Sequence, residues 1–329
     1  FRDGNIAILT HDFVHRTHVD IFGFYYPRVF TDWFADDWIT GVYWPERARK
    51  VPGTRIKHTM EMGNRYVVHF EKANRVKVEV QVGRVIVDRY IRGFGTGVAA
   101  GWSQDDKNVI SMSLYGDDPA DIYGILRYAQ LVPIMMKGWR MRVYIEDPKQ
   151  GNNPEYPVIS KIVHRKLKNI GVEIVIVDSD TAGQLPPSMW RLLIADDSKV
   201  ERFVVRNPKY RPTERETATV ELWAKTNEPL HCIRDHPNHS SHPLTPSLIG
   251  GIPQKLRSVL EKSWRTLMRG YTSDIQFLND VIWPKLKSLC LCHDSVACKF
   301  YPSATPFPVL REENEFIGQP YSDDDLPTE

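Results

Sequence analysis

The chain has 329 residues, 42% of them hydrophobic and 11% aromatic, and a formal net charge of +2. That length favours two domains over one, and the apolar content is ample for sizeable cores, which excludes a globally disordered chain. The near balance of charge excludes a duplex nucleic-acid binder with its concentrated basic face, and no apolar run approaches the roughly 18 residues of a membrane span.

The sequence opens on Phe1 and shows no signal segment, so it reads as a fragment or a processed product. Residues 5–9, "NIAIL", predict a short strand, and "HDFVHRTHVDIF" (11–22) predicts a helix with Thr10 as its N-cap. His11, His15 and His18 share one face of that helix and read as structural. "DDWITGVY" (36–43) starts a further helix, because carboxylates in a first turn meet unsatisfied N–H groups. Asp36 and Asp37 also suit a general base in an aromatic-walled cleft, where burial raises proton affinity and Trp faces stack on a sugar ring. His58 stands alone and, by itself, reads as an ordinary surface or core histidine.

Residues 66–91 alternate in period two and predict two or three strands. The Gly-rich stretch 93–107 predicts a linker between a first domain, 1–92, and a second, 108–329. There the pattern turns to an α/β rhythm. "VISMSLYG" (109–116), "WRMRVYIED" (139–147) and "VEIVIVD" (172–178) predict strands. "ADIYGILRYAQLVPIMM" (120–136) and "YPVISKIVHRKLKNIG" (156–171) predict helices, the latter ending at a Gly cap. The fold class expected is α/β, with a mixed, mostly parallel sheet flanked by helices. Ligands in such sheets sit at the carboxyl ends of strands, which points to "YGDDP" (115–119) and "DSDTAGQ" (178–184). Residues 230–329 are loop-heavy, and the acidic tail "YSDDDLPTE" (321–329) reads as a frayed, solvated terminus. Of the four cysteines, Cys290, Cys292 and Cys298 crowd beside His293, and Cys232 stands apart. The C-x-C-x5-C spacing fits no common zinc finger, and disulfide pairing and free thiols both stay open.

Residues 7–43 and 54–66, "AILTHDFVHRTHVDIFGFYYPRVFTDWFADDWITGVY … TRIKHTMEMGNRY", resemble the later half of a GT-A-fold glycosyltransferase domain of the β-1,4-galactosyltransferase and chondroitin-polymerising groups. The resemblance implies a nucleotide-sugar donor and a glycan or glycoprotein acceptor. It implies that Asp37, with Asp36 beside it, deprotonates the acceptor hydroxyl, and that His58 completes the coordination of a divalent cation, Mn²⁺ or Mg²⁺. Trp33 and Trp38 would form part of the acceptor platform. The donor-binding strands and the Asp-x-Asp motif precede this region in such enzymes, so an N-terminal half or a partner chain is expected to supply them. For eukaryotic members the secretory pathway is implied, in the Golgi or ER lumen or as a secreted form.

Residues 108–325 resemble a second, uncharacterised GT-A-like domain. The motifs that carry this are "SMWRLLIADDSKVERFVVRNPKYRPTERETATVELW", "HCIRDHPNHSS", "IGG", "YTSDIQFLNDVIWP" and "CHDS". Where its members read Arg-Asp-x-Asp-Ser, this chain has "RNPKY". Arg206 is kept, but Asn207 and Lys209 replace both carboxylates, which hard-oxygen coordination cannot survive. Lys209 either neutralises phosphate directly or marks a domain kept for binding or scaffolding. The resemblance places Arg234, Asp235, His236, Gly250, Gly251, Asp274, Gln276 and His293 on the acceptor side, the alternative being that they hold loops around the sheet. Trp190 and Arg191 look like the helix facing the donor site, with a core role for Trp190 equally open. Two functions follow: an inverting, metal-dependent glycosyltransferase, or a non-catalytic carbohydrate-binding or scaffolding subunit built from transferase-like domains.

Overall fold

A computed structural model describes residues 8–22, 24–30, 33–51, 53, 72–91, 106–147, 161–169, 171–298, 304–311, 314–323, 325 and 327–328. The chain divides into two compact units, Phe1–Val98 and Ala99–Glu329. His58 and residues 5–7 lie outside the described residues, and Ile8 and Leu9 form no strand.

Among its described residues unit 1 holds three helices, α1 (Arg16–Phe22), α2 (Ala35–Tyr43) and α3 (Ala73–Arg89). Thr10 is not a cap: α1 starts six residues later, because His11 adopts a left-handed φ of 57° and His15 Nδ1 instead accepts the Thr17 N–H at 3.2 Å. The strands expected over 66–91 are corrected over 73–89: residues 66–71 lie outside the described residues, and 73–89 form a single helix. Its valines alternate, yet Val76, Val80 and Val87 recur at helical spacing and pack on Trp38, Ile39 and Val42. Two glycines let the helices close up. A Cβ on Gly41 would lie 2.5 Å from Val80, and one on Gly83 would lie 2.5 Å from Val42. Trp38 Nε1 donates to the Glu79 carbonyl at 3.1 Å and ties the two helices. Tertiary packing therefore overrides the β preference of the valines.

Unit 2 is built on one sheet of β1 (Asn108–Ser113), β2 (Trp139–Glu146), β3 (Glu173–Val177), β4 (Arg202–Val205), β5 (Leu230–Arg234), β6 (Ile249–Gly251) and β7 (Cys290–Asp294). Their order is β3-β2-β1-β4-β6-β5-β7. β1 pairs in parallel with β2 and β4, β2 with β3, and β5 with β7, while β6 is antiparallel to β4 and β5. The mixed, mostly parallel sheet of the expected fold class is present. Val109, Ile110, Met112 and Val143 are fully buried, as central strands covered on both faces require.

The helices between β1 and β5 are α4 (Pro119–Met135), α5 (Lys161–Asn169), α6 (Ser179–Gln184), α7 (Pro187–Trp190) and α8 (Glu214–Ala224). Beyond β6 follow α9 (Pro253–Leu260), α10 (Trp264–Leu267), α11 (Asp274–Phe277) and α12 (Trp283–Leu286). Their ends are written locally. Asp118 accepts the Ala120 N–H at 2.9 Å to cap α4, with Pro119 at its first position. Gly171, at φ 84°, and Val172 donate back to Lys168 and Leu167 to close α5, the expected glycine cap. Cys232 and Cys292, opposite each other on β5 and β7, form a disulfide, and Cys290 and Cys298 are free thiols. The described residues of the tail are not frayed. Asp325 is buried between Arg127 and Arg211, and Ile317 packs on Ile233 and Leu248. Among the described residues no helix is long and apolar enough to cross a membrane.

Candidate functional site

The chain runs β1, β2, β3 outward on one side of β1 and then returns to β4 on its other side. The carboxyl ends of β1 and β4 thus form a topological switch point, the crevice where open α/β sheets take ligands. Two loops meet there: Leu114–Asp118 after β1, and Arg206–Tyr210 after β4. Their approach depends on Gly124 in α4, where a Cβ would lie 2.2 Å from the Pro208 carbonyl oxygen. Asn207 Oδ1 accepts the Lys209 N–H at 2.9 Å and turns the second loop.

Lys209 Nζ reaches across to Asp118 Oδ2 at 2.7 Å. The Lys209 hydrogen bond and the Ala120 N–H hold the Asp118 carboxyl below its usual range, and Asp118 in turn raises the lysine. One turn on, Asp121 is pushed up by burial and by Asp118, against the pull of Lys209 and Arg191. Behind them, Arg191 Nη2 pairs with Asp274 Oδ2 at 2.8 Å, and its backbone N–H and carbonyl are bound by Ser113 and Ser111. An ammonium therefore stands beside the Asp118 carboxylate at the mouth of the crevice. With Asn207 and Lys209 as the donor set after β4, the residues present do not fit a divalent cation.

Several expected pocket residues have structural duties instead. Arg206 is fully buried, with Nε 2.5 Å from Glu216 Oε1 and Nη1 bound to the Val205 and Ile249 carbonyls. Arg234 pairs with Asp294 at 2.6 Å in the core. Asp235 accepts from Arg215, Arg311, Ser295 and the Ile317 N–H; burial would raise its carboxyl, and those bonds hold it below the usual range. Gly250 and Gly251 form β6, where side chains would strike Phe203, Trp223 and Leu256. Trp190 is core, its indole N–H on the Leu185 carbonyl. His236 stacks on Phe316 at 4.1 Å, and Gln276 is exposed on α11. His293 is buried, its Nδ1 3.0 Å from His231 Nε2, and His231 stacks on Trp223. The structure thus brings Arg191, Lys209 and Asp274 toward the crevice, leaves Gln276 exposed and His236 partly so, and draws the others into the fold. Asp118 and Asp121 were missed as individuals, although the loop "YGDDP" at the end of the first strand was the signal.

Unit 1 carries the second group. Asp36 and Asp37 lie in the first turn of α2, both half-buried, and Phe34 at the cap position offers no side-chain hydrogen bond. Burial, the nearby Asp12 and, more weakly, Asp37 hold Asp36 above the usual carboxylate range, against the pull of His11. Asp12 Oδ1 accepts the Tyr26 hydroxyl at 2.6 Å, and Oδ2 is buried with no hydrogen-bond partner among the described residues. Trp33 is 48% exposed, but Trp38 is 1% exposed and belongs to the core, not to an acceptor platform. His18 is buried between Tyr43 and the Tyr25 carbonyl, which accounts for one of the three amino-terminal histidines structurally.

No protein-family profile matches the chain, and no curated protein sequence matches it. Among solved structures it is similar to a CMP:2-keto-3-deoxy-manno-octonic acid synthetase complexed with CTP, at 12% identity and a TM-score of 0.34, over 57% of this chain and 90% of that one. An active-site mutant of LgtC is similar at 11% identity and 0.37, over 56% and 72%. A 4-diphosphocytidyl-2C-methyl-D-erythritol synthase from Anaerococcus prevotii is similar at 12% and 0.31, over 53% and 82%. At such identities and scores these likenesses carry no functional weight.

Proposed function

We propose that the chain belongs to a nucleotide-sugar-dependent glycosyltransferase in which unit 1 supplies the base and unit 2 is a transferase-like domain without metal chemistry. The observation that carries the proposal is the half-buried Asp36/Asp37 pair, with Asp36 raised by burial and by Asp12 as a general base requires. In the inverting reaction one of these carboxylates takes the proton of the acceptor hydroxyl. The oxygen then attacks the anomeric carbon as the nucleoside diphosphate departs. Trp33 offers the sugar an exposed aromatic face. A divalent cation would be held through His58 and residues of an N-terminal half or partner chain, and would neutralise the departing diphosphate. The disulfide between Cys232 and Cys292 supports an oxidising compartment, in keeping with the secretory pathway.

The second reading, a non-catalytic binding or scaffolding role, is favoured for unit 2 by the Lys209–Asp118 pair in its crevice. Both readings are tested by nucleotide release from a panel of uridine- and guanosine-diphosphate sugars, with Mn²⁺, using the chain alone and with a candidate donor-binding partner chain added. Asp36→Asn or Asp37→Asn is expected to lower turnover by about 10²-fold or more, and Lys209→Ala to leave it unchanged. Turnover indifferent to both aspartates would overturn the assignment of the base to unit 1.

A further inference from the structure

We propose that Arg127 and Arg211 form a phosphoryl-binding site that the chain fills with its own carboxylate, Asp325. The two guanidinium groups come from different elements, α4 and the segment after β4, and converge on one side chain. Arg127 Nε donates to Asp325 Oδ2 at 3.3 Å, and Arg211 Nε donates to Oδ1 at 2.7 Å. The three residues are 5%, 4% and 1% exposed. Tyr321 and Tyr123 wall the site, with their ring centres 5.1 and 6.0 Å from the Arg211 guanidinium carbon.

The donor set exceeds what a carboxylate can use. Arg211 Nη1 is spent on the carbonyls of Pro208, Lys209 and Tyr210, but Nη2 is buried and has no hydrogen-bond partner among the described residues. A buried guanidinium nitrogen left without an acceptor is a costly arrangement that a ligand with more oxygens relieves. A phosphoryl group brings three oxygens and up to two negative charges to two cations, and arginine forks match that geometry better than any other side chain. Asp325 itself sits at φ 61°, a left-handed conformation that aspartate tolerates, in a turn closed by its N–H on the Ser322 carbonyl at 3.1 Å. The tail is also fastened to the crevice loop, since the Tyr321 N–H donates to the Lys209 carbonyl at 2.9 Å. Displacing Asp325 would therefore loosen the loop that carries Lys209. The tail acts as an intramolecular competitor for the site, and it sets how much phosphate is needed to open it.

The site stands independently of the base assigned to unit 1. Its test is the response of Asp325→Ala to inorganic phosphate, read by thermal shift and calorimetry against chloride at equal ionic strength. A tethered competitor acts at millimolar effective concentration, so its removal is expected to tighten phosphate at least roughly tenfold. Phosphate should restore the lost thermal stability saturably, and Asp325→Ala combined with Arg211→Met should not respond. Phosphate stabilising Asp325→Ala no more than the unaltered chain, or rescue surviving Arg211→Met, would overturn the proposal. If the alanine variant fails to fold, hydrogen exchange on the unaltered chain decides. Saturating phosphate is expected to raise exchange across 314–323, and unchanged exchange refutes displacement. Uridine diphosphate binding more tightly than phosphate would identify a nucleotide as the source of the phosphoryl group. Failure of this test leaves the aspartate assay in unit 1 untouched.

Discussion

Acidification from pH 8 to 5.5 should weaken unit 2 through its buried histidines. His239 is lowered to about 4 by burial, then by His236 and Arg311 against the opposing pull of Asp235, and His293 is lowered to about 4 by burial and Arg215. His231, stacked on Trp223 and facing His293 and Arg206, is lowered as well. Each binds a proton more readily in the unfolded chain, near the ordinary 6.5, than in the fold. Their contribution to stability is therefore complete above 6.5 and is lost as pH falls from there toward the folded value. At pH 5.5 a shift from 6.5 to about 4 leaves each of His239 and His293 contributing about 1.4 kcal/mol less than at pH 8. Together they make about 3 kcal/mol, or roughly 6–12 °C in Tm for a unit of this size. Thermal unfolding followed by tryptophan fluorescence between pH 8 and 5.5 measures it, with His239→Gln and His293→Gln as controls that should flatten the profile. Carboxylates held low, such as Asp118 and Asp235, lose their contribution only at lower pH. Asp121 and Glu146, held high by burial, oppose the loss, so it is the comparison with the glutamine variants that isolates the histidines. A flat profile in the unaltered chain, or an equal slope in the double variant, would refute the reasoning.

Two substitutions probe the frame around the crevice. Glu216→Ala leaves Arg206 as an uncompensated buried cation and should cost about 3–5 kcal/mol in chemical denaturation, whereas Glu216→Ala combined with Arg206→Met should recover part of the loss. Gly124→Ala drives a methyl into the Pro208 carbonyl and should cost about 2–3 kcal/mol. It should also part Lys209 from Asp118, seen by NMR titration as a rise of the Asp118 pKa toward its ordinary value.

Much of the sheet was legible because its first three strands are apolar runs bounded by turn residues, and the helices between them carry their own caps at Asp118 and Gly171. The alternating valines of 76–82 misled, since the same residues serve a helix once Gly41 and Gly83 let two helices touch, and that contact is written in two distant places. The crevice was legible as a loop and as the loss of two carboxylates at Asn207 and Lys209. Nothing local says that Lys209 would meet Asp118, 91 positions earlier. The tail defeated composition in the same way. A run of aspartates reads as solvated until Arg127 and Arg211 are found on either side of one of them.

The disulfide between β5 and β7 has a topological consequence. It closes a covalent ring whose two cysteines are 60 positions apart, and that ring contains β6 and α9 to α12. β7 is the last strand in the order of the sheet, and its outer edge carries a bridge to Thr305, whose N–H donates to the Cys292 carbonyl at 2.7 Å. A marginal strand is ordinarily the first to peel away and offer its free edge to another chain. Here the disulfide is opposite the middle of the strand, at Cys292, so β7 is riveted to β5 at its centre. The helices in the ring can open while the margin stays closed, and the sheet keeps its width even when that flank is disturbed.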